Sequence, residues 1–145
     1  ISKYYDYYEG APGKSAQSNG ITCIYRYAEV LLMYAEASTR ATNSVNQDAL
    51  NAIQEVQKRA GYQDRQIELT TTTEPTAFLT AVSNERGWEF FAEMKRWFEL
   101  VRLEKVKEVR AEEWDASTFN TNHHYYFPVP YQQVDLAGWT NNAGY

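Results

Sequence analysis

At 145 residues the chain is one domain's worth, long enough for one real hydrophobic core. Nineteen acidic against fourteen basic residues give a net charge of −5 without a basic cluster, which argues against nucleic acid or an anionic membrane surface as principal partner. One cysteine, Cys23, excludes an internal disulfide and a thiolate zinc cage.

Cys23 opens an apolar helical run and reads as a buried, inert thiol. No run approaches the ~18 apolar residues of a membrane span. The sequence starts at Ile1, which predicts either a trimmed precursor or a piece of a longer chain.

Residues 1–23 are expected to be an extended and looped lead-in. Tyr4, Tyr5, Tyr7 and Tyr8 favour extended backbone, and a Gly/Pro/Ser/Asn-rich stretch follows. Residues 24–61 read as a helix hairpin. In its first helix Ile24, Tyr27, Ala28, Leu31, Tyr34, Ala35 and Ser38 share one face, while Val30, Leu32 and Met33 lie opposite. A helix apolar nearly all round is expected to be buried on more than one side. The second helix, about Val45 to Ala60, carries a single stripe of Val45, Ala49, Ala52, Ile53, Val56 and Ala60. Ser44 and Gln47 fit a capping box, and Gly61 fits a C-terminal glycine.

A polar loop follows, and its last threonine is expected to cap a helix with Glu74-Pro75 just inside its start. From there to about Lys107 only Gly87 interrupts the helical pattern. An unbroken helix of thirty residues would be ~45 Å long, against a diameter of roughly 40 Å for a compact body of this size. Either the helix bends or this body is not complete as given. Within it Phe90, Phe91, Met94, Trp97, Phe98 and Val101 fall on one stripe, read with Trp88 as core. Burial is worth about 1.5–3 kcal/mol for each such side chain.

Beside that stripe Arg86, Glu89, Glu93 and Arg96 stand three or four residues apart, the spacing of a structural ion network along one helix face. Glu89 and Glu93 are also the raw material of a glycosidase. However, i, i+4 neighbours project in the same direction, whereas catalytic carboxylates flank the sugar bond. Flanking arginines would also lower their pKa values, opposite to what an acid catalyst needs.

Residues 118–145 mix aromatics with Asn, Gly and Pro. Phe127-Pro128-Val129-Pro130 cannot be a central strand, because two of its residues lack an amide hydrogen. It reads as an extended strap lying on helices, followed by a turn-rich tail. His123 and His124 on an extended segment would point to opposite faces, which disfavours a shared metal. No phosphate-binding glycine loop or serine elbow is present, and no cofactor is expected.

Four blocks together carry a family resemblance. Tyr25-Arg26-Tyr27-Ala28-Glu29-Val30-Leu31-Leu32-Met33-Tyr34-Ala35-Glu36-Ala37 is the first, and Arg86 to Arg102 the second. Phe127-Pro128-Val129-Pro130 and Asn142-Ala143-Gly144-Tyr145 complete the set. In this order they resemble the SusD/RagB family. The family often has Gly at the position of Met94, where its helix turns; with Met there, the place of the break stays open. It often has Asp at Glu99, Pro at Ala143 and Glu at Gln133.

The resemblance implies a mainly α fold: a tetratricopeptide-like helix hairpin, a long signature helix over 74–107 whose bend is open, and an irregular C-terminal strap. It implies that residues 1–145 are the C-terminal portion of a larger lipid-anchored protein at the outer-membrane surface, its anchor and most of its helix pairs lying upstream. The implied function is non-enzymatic binding of glycan or another nutrient for a SusC-like TonB-dependent transporter. Tyr5, Tyr7 and Tyr8 are the candidate ligand-binding residues, chosen as loop aromatics and not by motif. A helical protein-interaction scaffold is the alternative, and a glycoside hydrolase using Glu89 and Glu93 ranks third.

Overall fold

The computed structural model describes residues 23–61, 67–110 and 120–145. The fold is mainly α, and the described residues contain no strand. No helix among them is long and apolar enough to cross a membrane. The chain divides into two compact units, Ile1–Glu89 and Phe90–Tyr145. Tyr4, Tyr5, Tyr7, Tyr8 and Trp114 lie outside the described residues. Cys23 is exposed, against the expectation of a buried thiol.

The first unit holds α1 (Tyr27–Thr42), α2 (Gln47–Ala60) and α3 (Pro75–Glu89). Helix α1 packs against both of the others. Its end is set by Asn43, in the left-handed conformation at φ 48°, which asparagine tolerates better than most residues. The cap of α2 is Asn46, two residues beyond the expected Ser44: its Oδ1 accepts from the Ala49 amide at 2.7 Å. Ser44 instead donates to Thr42 Oγ1 at 3.0 Å. Ala49, Ala52, Ile53 and Val56 of the expected α2 stripe are buried, together with Leu32 and Ala35 of α1 and Phe78 and Val82 of α3.

Gly61 does end α2, but at φ −83° it has no left-handed backbone to accommodate. Space decides the residue here. An added Cβ would stand 2.9 Å from both the Gln57 carbonyl oxygen and Ile67 Cβ. At α3 the capping group is the Glu74 carboxylate rather than a threonine, accepting from the amides of Thr76 (3.0 Å) and Ala77 (2.6 Å). These two hydrogen bonds hold the Glu74 carboxyl below its ordinary pKa.

Helix α3 stops at Glu89. A turn over Phe90–Met94 precedes α4 (Arg96–Arg102), and a second turn precedes α5 (Val106–Val109). The signature region is therefore three helices and not one bent rod. Ala92, Met94 and Glu104 take positive φ values of 61°, 59° and 56°, which end a right-handed helix without any glycine or proline to announce it.

The expected aromatic stripe is dismantled as a result. In the second unit Phe90 is buried, with the Lys95 ammonium 5.8 Å from its ring centre. Phe91, Met94 and Phe98 are exposed, and so is Trp88 at the end of α3. Leu100 and Val106 form the small core of the second unit, with Trp97, Val101 and Tyr125 packed on it.

Two short helices, α6 (Thr121–His124) and α7 (Tyr131–Ala137), flank the strap, whose residues Phe127–Pro130 lie in neither helix nor strand. The tail returns to bind it. Asn141 Oδ1 accepts from the Val129 amide at 2.8 Å, Asn142 Nδ2 donates to the Phe127 carbonyl at 2.6 Å, and the Tyr145 hydroxyl donates to the Tyr126 carbonyl at 3.1 Å. His123 and His124 are helical rather than extended, and their rings stack with centroids 4.6 Å apart. The edge of Tyr145 closes on His123.

Candidate functional site: an ion network around Glu89

The first unit gathers its charged side chains at the C-terminal end of α3. Phe78 and Val82 start a stripe on this helix that Glu85 and Glu89 continue at the same spacing, so apolar packing carries two carboxylates inward. The two oxygens of Glu89 are taken separately: Oε1 by Arg26 Nη1 and Oε2 by Arg59 Nη2. Arg26 also donates from Nη2 to the Glu89 main-chain carbonyl at 2.6 Å, satisfying one of the acceptors that a helix end leaves open. The Glu89 side chain is only 6% exposed, whereas that of Arg59 is 63% exposed.

Around this node, Arg86 approaches Glu29 of α1 at 3.8 Å, both being buried. Gln57 of α2 donates to Glu85 Oε2 at 3.2 Å and to Thr70 Oγ1 at 2.9 Å, while its own Oε1 accepts from the Thr70 amide at 2.8 Å. Gln54 donates to the Thr70 carbonyl at 2.7 Å. The two glutamines thereby fasten the linker ahead of α3 to α2. Burial pushes the Glu85 carboxyl above its ordinary pKa; the nearby Glu89 charge adds to this, and the Gln57 hydrogen bond opposes it.

Of the four residues expected to form a ladder, Arg86 and Glu89 lie on α3, Glu93 lies in the turn and Arg96 opens α4. They share no continuous helix. Arg96 pairs with Glu99 at 3.1 Å, and the arginines bound to Glu89 come from ahead of α1 and from α2. The sequence reading missed Arg26, Glu29, Arg59, Glu85 and Gln57. A signal for the first two was present: Arg26 and Glu29 stand three apart, and the first part of the helix, to Ala35, is otherwise apolar.

Chemically, Glu89 is an anion already saturated by guanidinium groups, and Glu85 is a buried carboxyl turned to an amide. Glu89 and Glu93 are not a pair on one helix face. Among the described residues no group of three or more His, Cys, Asp or Glu is placed to hold a metal ion.

In the structure arginine–carboxylate pairs join the first signature block to the second, and comparison with known proteins agrees with the family that these blocks resemble. The SusD family profile matches residues 1–145, and the chain belongs to the SusD family. It is 28% identical over 117 residues to SusD-like protein P25 of Formosa agariphila, matching 78% of this chain and 22% of the relative. It is also 28% identical over 154 residues to SusD-like protein P2 of the same organism, matching 100% of this chain and 30% of that one. The chain thus spans under a third of the length of these relatives.

Solved structures agree. A SusD superfamily protein from Parabacteroides distasonis superposes with a TM-score of 0.76 at 28% identity, over 92% of this chain and 29% of that one. A SusD homolog from Bacteroides thetaiotaomicron gives 0.70 at 26% identity, over 91% and 30%.

Proposed function

We propose that this chain is part of a nutrient-binding, non-enzymatic protein of the outer-membrane surface, one that captures glycan or another nutrient for a SusC-like TonB-dependent transporter. The family match across the full 145 residues carries the reading. The engagement of both Glu89 oxygens by arginine supports a structural rather than a catalytic role for the carboxylate that a glycosidase reading would need. Lipid anchoring and delivery to the transporter belong to the same proposal.

The test uses the complete protein. Glycan-array binding without product formation, together with co-purification of a TonB-dependent transporter, is the expected result. Hydrolysis of a bound oligosaccharide that disappears in Glu89→Gln would overturn the reading. Binding of a peptide partner on the helix hairpin with no carbohydrate affinity would favour a protein-interaction scaffold instead.

A further inference from the structure

The end of α3 is contested. In a helix that ran on, the Glu89 carbonyl would accept from the Glu93 amide, one turn ahead. In the structure Arg26 Nη2 donates to that carbonyl at 2.6 Å, and the Glu93 amide donates instead to the Phe90 carbonyl at 3.0 Å. The chain then turns through Ala92 and Met94, at φ 61° and 59°. A second hydrogen bond, from Arg26 Nη1 to Glu89 Oε1, fixes the guanidinium where it stands.

The residues of the turn favour the helix over the conformation they adopt. Left-handed backbone costs an L-residue roughly 1–2 kcal/mol, and alanine and methionine are among the better helix formers. No glycine, proline or asparagine stands between Trp88 and Trp97. The local argument against continuing is small: Glu89 and Glu93 would stand at i, i+4 as like charges, a repulsion of about 0.2–0.5 kcal/mol. Met94, 89% exposed, has little packing to lose in a change of backbone. The segment between Glu89 and Arg96 is thus held away from its own preference, and Arg26 reaches across 63 residues of chain to occupy the acceptor that the next turn needs.

We propose that Arg26 is the stop of α3, and that residues 90–94 form a two-state element. They are a turn while the guanidinium holds the Glu89 carbonyl and a further turn of α3 once it is withdrawn. The carboxylate contact positions Arg26, and the carbonyl contact does the stopping. Neither family membership nor nutrient binding enters into this reading.

The test is the crystal structure of the complete protein carrying Arg26→Lys, with Arg26→Ala and Glu89→Gln alongside. Lysine keeps a positive charge beside Glu89, but its compact ammonium lacks the planar fork that spans carboxylate and carbonyl together. In both Arg26 variants Ala92 and Met94 are expected to move to φ of about −63°, with the Glu93 amide donating to the Glu89 carbonyl. Glu89→Gln keeps both acceptors for Arg26 and is expected to keep the turn. Positive φ at Ala92 and Met94 in either Arg26 variant overturns the proposal, because the turn then stands without its stop. A right-handed Ala92 in Glu89→Gln overturns it as well, by giving the role to charge pairing. So does loss of fold in both Arg26 variants, which would make Arg26 a condition of helix packing and not a local stop.

Discussion

Arg26 holds Glu89 twice, by its carboxylate and by its main-chain carbonyl, across 63 residues of chain. One side chain thus neutralises a buried anion, closes the end of α3 and fixes the entry to α1. Removing one partner of a buried, hydrogen-bonded charge pair leaves the other unsatisfied, a loss of about 3 kcal/mol or more.

Arg26→Ala and Glu89→Gln are therefore expected to destabilise the first unit by about 2–4 kcal/mol, the lower end allowing for the partial exposure of Arg26. Arg59→Ala removes a largely exposed partner of the same carboxylate and is expected to cost no more than about 1 kcal/mol. Urea unfolding of the three variants measures the ranking. Equal losses would show that the Arg26 contacts are not special.

Glu85 predicts a pH dependence. Burial raises its folded pKa above the unfolded value, so the folded state holds the proton more tightly. The stability this contributes is complete below the unfolded carboxyl pKa of about 4.3. It is lost as pH rises through the raised folded value, above which an ionised Glu85 stays buried at a cost. Glu85→Gln keeps an acceptor for Gln57 and has no proton to lose. The variant should match the parent at about pH 4 and exceed it in stability at neutral pH, as read from thermal melts across the range. A constant difference at every pH would contradict this.

Met94 predicts a gain. It stands at φ 59° and is 89% exposed, so its side chain contributes little packing while its backbone is strained. Met94→Gly should relieve about 1 kcal/mol of that strain, less the entropy glycine adds to the unfolded chain. Thermal unfolding is expected to show a midpoint unchanged or a few degrees higher. A marked drop would mean that the methionine side chain is needed where it stands.

The sequence disclosed its helices better than their faces. The α2 stripe was plain because one apolar row stood against a polar remainder, and packing followed it. In α1 apolar residues stood on both sides of the helix, so periodicity could not choose a side, and the polar members Glu29 and Glu36 were drawn inward by charge pairing. The break after Glu89 was illegible for a different reason. Ala92 and Met94 are good helix formers, and only the surrounding structure puts them in the left-handed region. Residue type singled out Arg86 and Glu89, but the partners the structure gives them lie tens of residues away, beyond the reach of local spacing. Tyr5, Tyr7 and Tyr8 remain candidates on composition.

The asparagines of the tail occupy backbone groups of the strap that a foreign strand would need. Pro128 and Pro130 offer no amide hydrogen, the Val129 amide is occupied by Asn141, and the Phe127 carbonyl by Asn142. A foreign strand laid along Phe127–Pro130 would meet few partners for its own backbone. Prolines and occupied backbone groups of this kind are how surface segments avoid pairing with another chain.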